Sequence, residues 1–182
     1  MRKVIAAFNT TIDGNCDHTA GIADEELHKH YTSLLDNAGT ILYGRITFEL
    51  MQYWQTMLLQ PSDKQELNEF AKSIDKIPKI VFSQTLKKTN WDTAEIATKP
   101  LVEVINELKQ EEGKDILVGS RSLIVQLMNL NLIDELQLCI QPVIAGPGIS
   151  LFEGIENRTV FQLKRTKTFN NGANILYYSP TK

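Results

Sequence analysis

Two cysteines in 182 residues are too few for a disulfide framework, and no apolar run approaches membrane-spanning length. Cys16 and Cys139 stand far apart, without the paired spacing of a metal or redox motif, so a reducing cytoplasm suits them. Charge of one sign is missing too. The formal balance is −3, with 19 basic and 22 acidic residues mixed along the chain, and it provides no basic field for nucleic acid or an anionic membrane. The apolar start Val4–Phe8 is too short for a signal-peptide core and has no small-residue cleavage pattern after it. Histidine is scarce. His18, His28 and His30 stand near Cys16, yet His28 and His30 are two apart on a helical stretch and point to different faces. They are expected on the surface, and no metal is expected.

What is present suffices for a core. Residues are 42% hydrophobic without low-complexity segments, which predicts one domain over 1–182. The chain alternates strands with helices. Lys3–Asn9 reads as a strand buried on both faces, with Thr10–Gly14 turning out of it. Asp24 caps a helix with Glu25 and Glu26 in its first turn and Leu27, Tyr31, Leu34 and Leu35 on its buried side. Thr40–Tyr43 is a second strand ending at Gly44, and a helix follows with Thr47 in capping position. Residues 54–61 read as irregular, and Ser62–Gln65 as a capping box. Pro78–Ser83 is a third strand, and Pro100 opens a helix carrying Leu101, Val104, Ile105 and Leu108.

Ile116–Val118 is a short buried strand ended by Gly119. Ser120 then suits the cap of a helix with Leu123, Ile124, Leu127 and Met128 on one face. Strand, glycine and helix start succeed one another, and such a junction is a seat for phosphate because its amides are free and the helix dipole is positive there. Gly44-Arg45 is a second junction of this kind, and the planar fork of Arg45 suits a phosphate. Leu136–Gln141 alternates like a half-buried, edge-type strand and is closed by Pro142 and Gly146-Pro147-Gly148. Two last strands, 159–169 and 173–178, are joined by Asn170-Asn171-Gly172, which favours a hairpin.

The run 115–152, with Leu132-Ile133-Asp134-Glu135-Leu136 and the Pro-x-x-x-Gly-x-Gly loop at 142–148, resembles the dihydrofolate-reductase-like family. Within it the nearest likeness is to the C-terminal reductase domain of bifunctional riboflavin-biosynthesis deaminase-reductases and its stand-alone relatives. The resemblance implies an α/β fold with a mostly parallel central sheet flanked by helices and a C-terminal antiparallel hairpin. It also implies NADPH as hydride donor. Gly44-Arg45-x-Thr47 matches the family's phosphate-holding element, Ser83 the position beside the adenine ribose, and Gly119, Ser120, Arg121 and Ser122 the second cofactor loop. Thr11-Ile12-Asp13-Gly14 matches Ser-x-Asp-Gly with threonine for serine, which puts Asp13 and Gly14 at the substrate rim. Lys87 and Lys88 are further candidates for a 2′-phosphate.

Departures are visible as well. The family has two glycines where this chain has Gly119-Ser120, and in dihydrofolate reductases that peptide is cis. No residue is assigned as catalytic. The expectation is a homodimeric, NADPH-dependent reductase acting on a C=N or C=O carbon of a small heterocyclic or sugar-bearing substrate, as in reduction of a ribosylaminopyrimidine phosphate. The alternative is a non-catalytic nucleotide-binding or regulatory module on the same fold.

Overall fold

In a computed structural model, which describes residues 1–181, the chain forms one eight-stranded sheet with helices on both faces. The elements in order are β1 (Val4–Thr11), α1 (Glu25–Asp36), β2 (Ala38–Gly44), α2 (Arg45–Met51), α3 (Tyr53–Leu59), α4 (Gln65–Lys76) and β3 (Lys79–Phe82). There follow β4 (Ala94–Ile96), α5 (Leu101–Gln110), β5 (Asp115–Val118), α6 (Arg121–Asn129), β6 (Glu135–Gln141), β7 (Phe161–Thr168) and β8 (Asn174–Pro180). The strand order is β4-β3-β2-β5-β1-β6-β8-β7. Neighbours from β4 to β6 pair in parallel, and β8 pairs antiparallel with both β6 and β7. This is the expected mostly parallel α/β sheet with an antiparallel end.

The continuous apolar strands follow from burial on two faces. Val4, Ala6, Leu42, Ile116 and Val118 pack under Leu101 and Ile105 of α5 and Leu123, Ile124 and Leu127 of α6. Alternate residues of the same strands, Ile5, Ile41, Tyr43 and Leu117, meet Leu35 of α1, Phe48 of α2 and Ile74 of α4. Asp24 caps α1 as expected, its carboxylate accepting from the Leu27 N–H at 2.8 Å.

Several elements depart from expectation. Residues 53–59 form α3, a helix with no fully buried residue whose own sequence shows little periodicity, because Trp54 stacks edge-on against Phe70 of α4 and docks it there. The capping box at 62–65 does not form: α4 starts with no side-chain cap, and Asn68 brackets Ser62 by accepting from its N–H and donating to its carbonyl. Thr47 lies inside α2, which starts at Arg45 after Gly44. β4 was not expected at all, and three residues of parallel pairing to β3 create it. β6 is an interior strand rather than an edge, since β8 folds back against it and leaves β7 outside.

His18 is exposed as expected, but His28 and His30 are partly buried. His28 lies between Trp54 and Phe70, and His30 between Tyr31 and Phe169. Burial, with Lys167 and Arg165 nearby, pushes the His30 imidazole down to about 4, and its buried Nε2 has no hydrogen-bond partner. Among the described residues, no helix is long and apolar enough to cross a membrane.

Candidate active site

β3, β2 and β5 are neighbours in the sheet and parallel, so their carboxyl ends emerge side by side. Such an edge is where open α/β sheets hold ligands. A cleft of about 370 Å³ opens there. Gly44, Arg45 and Thr47 line it from the β2 junction, Phe82, Ser83 and Gln84 from the end of β3, and Ser122 and Gln126 from α6. Stretches far apart in the chain therefore share one wall.

The two junctions are bolted together by a hydrogen bond. Ser120 was expected to cap α6, but its hydroxyl makes no capping bond and instead accepts from the Gly44 N–H at 2.8 Å, with both groups buried. The correction has a physical reason: a neighbouring strand end offered an orphan amide closer than the helix's own. The Ser122 hydroxyl lies over Gly44, 2.9 Å from where a Cβ would stand, so a larger residue at 44 would collide with it. Gly119 does not line the cleft, and a Cβ there would stand 2.9 Å from the Tyr43 ring, so a side chain at 119 would collide with the core. No peptide bond among the described residues is cis, the Gly119–Ser120 bond included.

The two arginines that begin α2 and α6 behave differently. Arg45 lines the cleft, half exposed, and its Nη1 donates to both oxygens of Glu49 at 2.8 and 3.1 Å. Arg121 turns out of the cleft. Its Nε donates to the Ser150 carbonyl at 2.6 Å, and its Nη2 to the carbonyl and carboxylate of Glu153 at 3.2 and 3.0 Å. The expectation that Arg121 sits in the cofactor groove is therefore corrected, since the loop after β6 reaches it first. Ser83 stays at the rim of the cleft, with its hydroxyl accepting from the Thr85 and Leu86 amides to turn the chain out of β3. Lys87 and Lys88, just beyond, do not line the cleft.

Asp13 and Gly14 lie beyond the end of β1 and not in this cleft. The Asp13 carboxylate accepts from the Thr11 hydroxyl, from the Ala145 N–H at 3.2 Å and from the Gly146 N–H at 2.7 Å. Those bonds, the Thr11 hydroxyl first, hold its pKa below the ordinary carboxylate value. Asp13 thus fastens the Pro-x-x-x-Gly-x-Gly loop to the turn after β1. Below that turn, Gln141 is buried. Its amide nitrogen donates to Asn9 at 3.3 Å, its amide oxygen accepts from the Ile22 N–H at 3.3 Å, and Tyr31 donates to the same Asn9 oxygen at 3.0 Å. Asn9, Tyr31, Gln141 and Glu49 went unnoticed in the sequence. Glu49 alone left a signal there, four residues after Arg45 on a helix.

The model of the RibD C-terminal domain matches residues 2–175. The chain belongs to that family. An uncharacterized protein of Bacillus subtilis (strain 168), YyaP, is 33% identical over 182 residues, covering 98% of this chain and 95% of the relative. Among solved structures, a riboflavin biosynthesis protein of Shewanella sp. PV-4, described as putative in its own name, superposes with a TM-score of 0.77 at 16% identity, covering 99% of both chains. A dihydrofolate reductase from Enterococcus faecalis, complexed with NADP(H) and RAB-propyl, superposes at 0.64 and 13% identity, covering 99% and 97%. At such identities the superpositions establish the fold, which is dihydrofolate-reductase-like. In this RibD C-terminal chain, the cleft at the ends of β3, β2 and β5 is therefore placed on a scaffold shared with riboflavin-pathway reductases.

Proposed function

We propose that the protein is an NADPH-dependent reductase that passes hydride to a C=N or C=O carbon of a small heterocyclic or sugar-bearing substrate, the class to which the ribosylaminopyrimidines of riboflavin synthesis belong. The observation that carries this reading is the convergence of Gly44, Ser83 and Ser122 on one cleft at adjacent strand ends. Arg45 meets a phosphate there, Thr47, Ser83 and Ser122 offer hydroxyls to ribose and phosphate oxygens, and the Gly119-Ser120 turn holds the floor. The cofactor supplies the hydride, and the protein supplies position. Asp13 and Gly14 act at the substrate end by fixing the loop at 145–146 against the end of β1.

Titration with NADPH, followed by its oxidation in the presence of ribosylaminopyrimidines, tests the proposal. Micromolar binding with turnover supports the reductase. Binding without oxidation of any acceptor supports a nucleotide-binding module instead. A homodimer through β7 belongs to the reductase reading: β7 is an edge strand whose outer side has no partner strand among the described residues, and Leu163 is 48% exposed on it beside Lys164 and Arg165. A Leu163→Lys variant is then monomeric by sedimentation.

A further inference from the structure

Among the described residues, Arg45 is the one cation lining the cleft; every other lining residue is apolar or neutral. Any phosphate the cleft takes must therefore meet this guanidinium. Yet both carboxylate oxygens of Glu49, one helical turn on, already hold its Nη1, and the two side chains are 43% and 45% exposed. A phosphate that approaches either draws Arg45 off Glu49 or settles beside a carboxylate of its own sign. Each route weakens binding. An exposed i,i+4 helix pair of this kind contributes little to folding. Its larger effect falls on the ligand.

We propose that Glu49 is a positioning residue that sets how strongly the cleft holds phosphate, by competing with the ligand for Arg45. This rests on the reading of the cleft as a dinucleotide site. Glu49 orients the guanidinium along α2 and cancels its charge until a phosphate displaces it. The pair is open to solvent, so the exchange needs no movement of the backbone.

The test is a double-mutant cycle on the full chain with NADPH as probe at fixed ionic strength, and adenosine as a control without phosphate. Glu49→Gln keeps size and exposure and is expected to tighten NADPH about two- to fivefold, the scale of freeing one exposed pair. In the Arg45→Gln background the same change is expected to lose most of its effect, and adenosine binding is expected to be unmoved in every variant. The proposal is overturned if Glu49→Gln leaves NADPH affinity unchanged or weakens it. It is equally overturned if the gain persists without Arg45, because a general field effect then explains it. Failure of the unmodified protein and all variants to bind NADPH would sink the dinucleotide reading itself, and this proposal with it. Matching unfolding curves for the variants confirm that folding is not what changes.

Discussion

The junctions at Gly44-Arg45 and Ser120-Arg121 look alike in sequence, each a buried strand running into a helix whose first residue is arginine, but they end in opposite uses. Arg45 stays on the cleft wall and pairs within its own helix, where Glu49 is the nearest carboxylate. Arg121 leaves the cleft and ties α6 to the loop at 150–153. The difference lies in the neighbours. Past β5 stands the loop that follows β6, offering the Ser150 carbonyl and Glu153, whereas past β2 lies the uncharged end of β3 at Phe82, Ser83 and Gln84. A strand–helix junction thus supplies a place for a cation, and the surrounding chain decides whether that cation serves a ligand or the scaffold.

Exchanging the demands on the two arginines should break the symmetry most visibly. Arg45→Ala is expected to weaken NADPH binding about tenfold, as loss of a charge-assisted hydrogen bond does, while moving stability by under about 0.5 kcal/mol. Calorimetric titration and urea unfolding read the two quantities separately. On stability, the largest change is expected at the bolt between the junctions. Ser120→Ala leaves the buried Gly44 N–H without an acceptor and is expected to cost about 2 kcal/mol in urea unfolding. Arg121→Ala is expected to cost about 1 kcal/mol of stability with NADPH affinity within about twofold of the parent, the reverse of the Arg45 result. A large affinity loss at Arg121 would reverse the assignment of the two roles.

The smallest effect separates the two fastenings of the 145–153 region by pH. Asp13 is the fastening that acid releases. The folded pKa of Asp13 is depressed, so its contribution is present above the unfolded carboxylate value and is lost as pH falls through the folded one. Protection of the Ala145 and Gly146 amides, measured against their intrinsic exchange rates, is then expected to fall in acid, while the Arg121 bond to the Ser150 carbonyl remains. Asp13→Asn is expected to reproduce that loss of protection at neutral pH.

Much of the scaffold was legible because its signals are local. Two-sided burial marks Ile116–Val118 and Thr40–Tyr43 as interior strands, and Asp24 announces α1 through a cap bond that reaches only to the Leu27 amide, three residues on. The hairpin at Asn170–Gly172 follows from turn chemistry, with Asn171 accepting from the Ala173 N–H at 2.9 Å. Illegible elements depend on distant partners. β4 exists through pairing with β3, α3 through Trp54 on Phe70, and the interior place of β6 through β8 returning past it. His30 reads as a surface residue until Phe169, far along the chain, closes over it.

Residue types at strand ends settled where amides, hydroxyls and a guanidinium could meet a phosphate, since glycine, serine and arginine carry those groups wherever the backbone sends them. Tertiary structure decided which of them face the same space. It turned the Ser120 hydroxyl from its own helix to the Gly44 amide, drew Arg121 to a loop and left Arg45 beside Glu49. The physical reason is range: capping and periodicity act within a few residues, whereas a buried donor takes whichever acceptor the packing of strands brings nearest.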